Sequence, residues 1–199
     1  MSARIVRWVM AAGLVVGATL VVVLSQRLTR LTHEYQVLQR RASTLTTGTM
    51  VPTFQAVTLT GDTLSIGERK DGGRQVLLLL NTTCAFCQAT LPVWAQLADS
   101  IRQVSPDVEV IAVSLDSLDA TRRYAEEQGL NMPVVTVPTR KLSRLLRASR
   151  VPQTAVVDHE GWVLYGWTGL IAAEAIWDSI FIAITAAQPA VPADSTSGS

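Results

Sequence analysis

The sequence predicts an α/β fold in which a central mixed sheet is flanked by helices. Short apolar runs at residues 76–80 and 108–114 have the length and composition of buried strands. A longer segment with helical spacing of its apolar residues, 84–104, lies between them. Two further strand-like runs flank the turn residues 158–161, which predicts an antiparallel hairpin. This alternation followed by a hairpin is typical of helices packed on a mixed sheet.

Residues 1–26 are predicted to form a membrane anchor, a single transmembrane helix that precedes the fold. Residues 8–24 carry no charge and extend roughly 25 Å at about 1.5 Å per residue, slightly less than the ~30 Å hydrocarbon core. Arg7 and Arg27 would snorkel at its two ends. A cleavable signal peptide is the alternative, although the apolar run exceeds a usual h-region and no Ala-x-Ala site follows it.

Residues 27–49 are predicted to form a helical stalk. Apolar residues spaced alternately by three and four form a seam along it: Leu28, Leu31, Tyr35, Leu38, Ala42 and Leu45. The seam covers fewer than three heptads. It therefore fits both a dimer that pairs two stalks and a single helix that packs on its own domain.

Residues 50–187 are predicted to form the α/β domain. Gly129 closes one helix, and Pro92 is expected to kink another because its ring removes a hydrogen-bond donor. The predicted strands are 54–59, 63–66, 76–80, 108–114, 134–137, 154–158 and 162–167. The predicted helices are 84–104, 119–128, 140–148 and 172–187. Residues 188–199, rich in Pro, Ala, Ser and Gly, are expected to be a disordered tail.

Composition excludes one broad class of function. The chain has 199 residues and a net charge of +1, which gives no sign of a surface for nucleic acid. Its 48% hydrophobic content suffices for one packed domain with attachments. The chemistry must therefore be sought in particular residues of that domain.

The only two cysteines, Cys84 and Cys87, are separated by two residues and follow a predicted strand directly. This spacing lets both sulfurs lie in the first helical turn, where unpaired N–H groups stabilise a thiolate. A structural disulfide across so short a loop would add little stability. A zinc site needs about four ligands, and only the dispersed His33 and His159 could join the two cysteines. Redox chemistry is the favoured interpretation, and metal binding is the alternative.

Four segments resemble the membrane-anchored TlpA and ResA-type thioredoxins, or redoxins. They are VLLLLNTTCAFCQATLP (76–92), VEVIAVSLDS (108–117), YAEEQGLNMPVV (124–135) and VPQTAVVDHEGWVLYGWTG (151–169). The resemblance implies a thioredoxin-like fold over residues 50–187 and thiol-disulfide oxidoreductase activity. It implies no cofactor beyond a redox-active Cys84–Cys87 disulfide and no metal.

The resemblance also implies a role for each site residue. Cys84 would be the exposed nucleophile, Cys87 the resolving thiol, and Pro152 the cis-proline beside the disulfide. The positions implied to bind the client protein are Thr83, Ala85, Phe86 and Val151. The Val151 backbone would pair with an incoming peptide in the manner of an added strand.

The chain departs from the family pattern at two positions. The family usually has Trp where this chain has Thr83, and thioredoxin itself has a buried acid where this chain has Leu78. Another group must therefore receive the proton of Cys87. Three unassigned acids are candidates, although each is expected to be a solvated surface charge: Glu68, Glu109 and Asp116. The hydroxyl groups of Thr82 and Thr83 are expected to donate to the Cys84 thiolate or to cap the helix.

The residues between the cysteines predict the direction of the reaction. Ala85 and Phe86 bring neither a charge nor an imidazole that would stabilise a thiolate, which favours a reductant over a strong oxidant. The resemblance then implies clients with cysteines or disulfides, as in cytochrome c or copper-site maturation, and a membrane electron donor. A metal-binding maturation protein that uses His159 as a further ligand, and a thiol peroxidase of the redoxin type, are the alternatives.

The predicted location is the inner (cytoplasmic) membrane, with a single span and the domain on the periplasmic side. Basic residues flank the apolar segment on both sides, so the positive-inside rule alone does not orient it. The dithiol suits a compartment in which disulfides form.

Overall fold

The computed structural model describes residues 8, 13, 17, 19–30, 32, 43–137, 139–171 and 174–186. The chain divides into two compact units, residues 1–42 and residues 43–199, and all the elements named here belong to the second. Its strands are β1 (Phe54–Val57), β2 (Thr63–Ile66), β3 (Gln75–Leu80), β4 (Glu109–Ser114), β5 (Val134–Thr136), β6 (Gln153–Val157) and β7 (Val163–Thr168). Its helices are α1 (Ala85–Val104), α2 (Leu118–Gln128), α3 (Arg140–Leu145) and α4 (Glu174–Thr185).

Five strands form one mixed sheet in the order β5-β4-β3-β6-β7. The central strand β3 is parallel to β4, with Leu80 opposite Ser114, because α1 returns the chain to the start of the sheet. On its other side β3 is antiparallel to β6, with Leu78 opposite Thr154. This arrangement confirms the predicted α/β class with a mixed sheet. Strands β1 and β2 pair separately as an antiparallel hairpin.

Every side chain of β3 is buried, and successive side chains alternate between two apolar clusters. Leu78 and Leu80 pack in the cluster that contains Trp94 of α1 and Ile180 of α4. Leu77 and Leu79 pack in the other cluster. Because both faces of β3 are covered, its C-terminal end lies at a fixed position, and the segment that follows it carries Cys84.

Helix ends follow local signals, with one exception. Helix α2 begins after the N-cap Ser117, one residue before its predicted start, and ends as predicted at Gly129, whose φ is +62°. The helix predicted over residues 140–148 ends instead at Leu145. Arg147 has a φ of +49°, in the left-handed region that a continuing helix does not use. The segment that leads to β6 is therefore a loop.

The predicted stalk also ends earlier than residue 49. Residues 44–49 are not helical, and the side chain of Leu45 is 1% exposed within the core of the second unit. The N–H of Gly48 donates to the carbonyl of Val163, which ties this segment to β7. These backbone bonds compete with a helix, so the compact unit begins at Ser43 and not at Met50.

Residues 19–30 are helical, and Leu28 of the predicted seam is exposed. Within the ranges that the structure describes, no helix combines the length and the apolar character needed to cross a membrane. Residues 9–12, 14–16 and 18 of the predicted span lie outside those ranges, as do the seam residues Leu31, Tyr35, Leu38 and Ala42 and the tail 188–199.

Thr154 of β6 gives a stability prediction. Its Oγ1 accepts a hydrogen bond of 2.9 Å from Nε1 of Trp94, and both side chains are buried. Thr154→Val keeps the shape and leaves the indole N–H unpaired, so we expect the free energy of unfolding to fall by about 1–3 kcal/mol in urea titration. The exposed strand residue Thr63 is the matched control, and Thr63→Val should change the free energy of unfolding by less than about 0.5 kcal/mol. Equal effects of the two variants would refute this account.

Candidate active site

Cys84 and Cys87 lie where β3 passes into α1. Cys84 is the N-cap of α1, and its Sγ accepts a hydrogen bond of 3.4 Å from the N–H of Cys87. The backbone N–H of Cys87 therefore points toward the sulfur of Cys84, as expected at a helix N-terminus. Both cysteines are free thiols. The predicted helix start is confirmed to within one residue.

The two thiols differ in exposure. Cys84 is half-buried, whereas Cys87 is 0% exposed within the apolar cluster that covers one face of the sheet. Burial, together with the neighbouring Cys84, raises the pKa of the Cys87 thiol to about 12, although a backbone hydrogen bond from Asn81 acts in the opposite direction. A disulfide carried by another protein can thus approach Cys84 but not Cys87.

Val151 and Pro152 lie beside Cys84 although 67 residues separate Val151 from it in sequence. The peptide bond between Val151 and Pro152 is cis, as the resemblance implies. The Cys84 Sγ is 3.8 Å from the carbonyl oxygen of Val151 and is placed to donate to it. On the far side, the carbonyl of Pro152 accepts a hydrogen bond of 2.9 Å from the N–H of Gly169. The edge of the site is thus held from both directions.

The exposed rim of the site contains the remaining sequence-predicted residues. Thr83 and Ala85 are exposed, and the side chain of Phe86 is 64% exposed. Val151, whose carbonyl oxygen faces the Cys84 Sγ, is half-buried. The Thr83 hydroxyl donates to Oδ1 of Asn81 at 2.6 Å, so the expected donation to Cys84 is not found. Cys84 itself provides the N-cap instead.

Of the three candidate acids, only Asp116 lies near the thiols. Its two carboxylate oxygens accept hydrogen bonds from Nδ2 of Asn81 at 2.9 Å and from the N–H of Thr82 at 2.6 Å. Asp116 is half-buried, so the expectation of a solvated surface charge is wrong for this residue. Its charge also contributes to raising the pKa of Cys87. Asn81 and Asp116 together hold the segment that leads into Cys84.

The other acids lie at the opposite end of the sheet. Glu109 opens β4 and accepts from Nη1 of Arg69 at 3.4 Å, and Glu68 forms a β-bridge with Glu160. Both stand near the start of the parallel strands, whereas Cys84 follows the end of β3. The register therefore excludes them as groups that exchange a proton with Cys87.

His159 is equally distant from the thiols. It lies in the turn after β6, and Pro152 lies just before the same strand, so at ~3.3 Å per residue about 20 Å separate them. Among the described residues, no group of three or more His, Cys, Asp or Glu side chains could hold a metal ion. The suggested use of His159 as a third ligand is wrong on geometric grounds.

Sequence reasoning missed two residues near the site. Asn81 carried a usable signal, since an amide at the end of a strand and just before a helix often hydrogen-bonds nearby backbone. Tyr124 of α2 packs in the same cluster as Cys87, and its buried hydroxyl has no hydrogen-bond partner within the described part of the chain. Burial, and to a lesser degree the two cysteines, raise the pKa of Tyr124 to about 12. The position of Tyr124 in the α2 sequence is that of an ordinary core aromatic residue, so no signal in the sequence marks it.

A model of the AhpC/TSA family matches residues 47–165, which is more than half of the chain. No protein with a curated description matches the chain.

Solved structures are similar in fold. StoA from Bacillus subtilis has a TM-score of 0.56 at 19% identity, covering 65% of this chain and 97% of that one. A candidate thiol:disulfide interchange protein DsbE from Chlorobium tepidum has a TM-score of 0.59 at 23% identity, with 70% and 99% covered. The thioredoxin domain of a thiol-disulfide oxidoreductase from Bacteroides vulgatus has a TM-score of 0.56 at 16% identity, with 69% and 96% covered. At these identities the similarity establishes the thioredoxin-like fold.

Proposed function

Because the chain belongs to the AhpC/TSA family and has a thioredoxin-like fold, we propose that it is a thiol-disulfide oxidoreductase that reduces disulfides in client proteins. The observation that carries this proposal is the pairing of an accessible thiol, Cys84, with the buried thiol of Cys87 one helical turn away. The Val151 carbonyl lies 3.8 Å from the Cys84 Sγ. This combination suits attack on an external disulfide followed by internal resolution.

The reaction proceeds in two exchanges. The Cys84 thiolate attacks one sulfur of the client disulfide, the client S–S bond breaks, and the released client thiolate takes up a proton. Cys87 then gives up its proton and attacks the Cys84 sulfur, which releases the second client thiolate to be protonated. Two electrons pass to the client, and the protein is left with a Cys84–Cys87 disulfide.

Thr83, Ala85, Phe86 and Val151 are proposed to contact the client during these steps. The exposed ring of Phe86 offers apolar contact to the client. This contact would replace the one made by the Trp that the family usually has where this chain has Thr83. An extended client segment would add to the edge at Val151 by backbone hydrogen bonds. Asp116 is proposed to keep the Asn81–Thr82 segment in place beneath Cys84.

The reducing direction is supported by what surrounds the buried thiol. Strong oxidants of this type owe their potential to a stabilised thiolate in the reduced form. Here burial raises the pKa of Cys87, and neither Ala85 nor Phe86 carries a charge. Neither feature stabilises a thiolate in the reduced protein, which supports the reducing direction.

Location and partners complete the proposal. The uncharged residues 8–24 support a membrane anchor, and disulfide chemistry suits a periplasmic domain. A domain that reduces clients there needs a membrane electron donor that returns two electrons to the Cys84–Cys87 disulfide. Clients in cytochrome c or copper-site maturation fit this chemistry, and the apolar seam of residues 27–49 would allow two stalks to pair.

The reduction potential of the Cys84–Cys87 couple tests the function. We expect a value near that of thioredoxin, about −270 mV, after equilibration with dithiol buffers, together with catalytic reduction of insulin disulfides. A potential of about −120 mV, together with oxidation of reduced substrates, would refute the proposed reductase function. Peroxide turnover faster than insulin reduction would instead support the peroxidase alternative.

A further inference from the structure

The side chain of Gln153, the first residue of β6, joins three separate parts of the chain. It is 1% exposed, and every donor of its amide is used. Its Oε1 accepts from the N–H of Leu45 at 2.8 Å. Its Nε2 donates to the carbonyl oxygens of Arg150 at 2.5 Å and Arg147 at 3.1 Å. A buried amide bonded in this way is far more demanding in geometry than an apolar side chain of equal size.

Two of these bonds fix the loop that ends at the active site. Arg147 is the one non-glycine residue with positive φ among the described residues, and its N–H donates to the carbonyl of Arg144. The hydrogen bond from Gln153 holds the carbonyl of this left-handed residue in place. Arg150 directly precedes Val151, whose carbonyl faces Cys84. The Gln153 amide thus sets the direction of the chain just before the site.

The third bond reaches the segment 43–49, through which the chain enters the domain. This segment lies along β7, where the N–H of Val163 donates to the carbonyl of Thr49. A side chain at Gly166 would collide with the backbone of Leu45, so the two backbones pack directly on each other. Ser149 also donates to the carbonyl of Ser43, at 3.2 Å from an exposed position. The entry segment and the active-site loop are therefore bonded to each other.

We propose that Gln153 is a positioning residue, which holds the loop 147–151 so that the Val151 edge can receive a client while Cys84 attacks. The inference rests on the proposed function. Beyond that function, the segment 43–49, bonded to Gln153 through Leu45, also helps to hold the active-site loop in position. A small disulfide needs only the Cys84 thiol, whereas a polypeptide client also needs the Val151 edge in position.

The test compares two substrates in the full chain. In Gln153→Met, which has similar length and no amide, we expect the kcat/KM for insulin reduction to fall about tenfold or more, because small displacements of a positioning edge are costly. The rate with 2-hydroxyethyl disulfide should stay within about twofold, since Cys84 is untouched. Gln75→Met, which removes a buried amide at the opposite end of the sheet, is the matched control and should leave both rates unchanged. A folded Gln153→Met protein that reduces insulin at the wild-type rate would overturn the inference.

Gln153→Glu keeps the test decisive if the methionine variant does not fold. Its carboxylate retains an acceptor for Leu45 but presents no donor to Arg147 and Arg150 until it is protonated. The insulin rate relative to wild type should therefore rise as the pH is lowered from about 8 to about 5. A ratio independent of pH would contradict the proposed contacts.

Amide hydrogen exchange separates this inference from the proposed function. The Leu45 N–H should be protected in the wild type and exchange faster in Gln153→Met, whatever the enzyme reduces. Wild-type protein that reduces neither substrate would refute the function, whereas an unchanged Leu45 exchange rate would refute the role of Gln153.

Discussion

The Cys87→Ser variant is expected to stop after one turnover, covalently joined to its client through Cys84. The exposed Cys84 can still attack, but no second thiol is present to displace the client. Mixing reduced variant with insulin should release at most one client thiol per protein and leave a mixed disulfide visible by non-reducing gel and mass spectrometry. The wild type, supplied with a dithiol, should turn over repeatedly.

Cys84→Ser is the matched control, because it leaves a single thiol that is buried and 0% exposed. It should form no mixed disulfide and show no initial release of client thiol. Alkylation of the reduced wild type with limiting reagent should likewise modify Cys84 before Cys87. Trapping by Cys84→Ser, or earlier labelling of Cys87, would reverse the proposed order of attack.

The resolving step is expected to accelerate with pH, by about tenfold per unit from about pH 6 to about pH 9. Burial raises the pKa of Cys87 to about 12, so the thiolate fraction grows in proportion to hydroxide over this range. The measurement is the release of client thiol from a mixed disulfide preformed on Cys84. A release rate that does not change with pH would show that proton loss from Cys87 does not limit this step.

The raised pKa of Cys87 also predicts how the stability of the reduced protein depends on pH. The ordinary thiol pKa is 9.0, so between pH 9.0 and about 12 the folded protein keeps a proton on Cys87 that the unfolded chain has lost. The unfolded state then binds fewer protons, and the free energy of unfolding contributed by this group falls as the pH rises. Below pH 9.0 this contribution is fully present. Cys87→Ala should lack this alkaline loss in denaturant titrations.

Local chemistry explains why the elements could be predicted from sequence. The apolar run of β3 and the left-handed Gly129 act over a few residues, and each was identified close to its observed position. The two failures had different origins, one in the backbone of a single residue and one in contacts with a distant strand. Helix α3 ends early at the left-handed Arg147, and residues 44–49 exchange helical bonds for bonds to β7. No periodicity in the sequence records such competition between partners.

The active site also has one part that the sequence predicts from local spacing and another part that it does not. The spacing of Cys84 and Cys87 determined that a dithiol stands at a helix start, because two intervening residues set that geometry. Resemblance, and not spacing, indicated Pro152.

Only the tertiary structure decided which distant groups join the thiols. It brings Asp116 to the preceding segment and leaves Glu109 at the far end of the sheet, although both residues lie in or next to β4. It also binds Gln153 to Leu45 across 108 residues. Such contacts depend on strand order and register, which are set when the two faces of β3 are buried together, and a short stretch of sequence does not specify them.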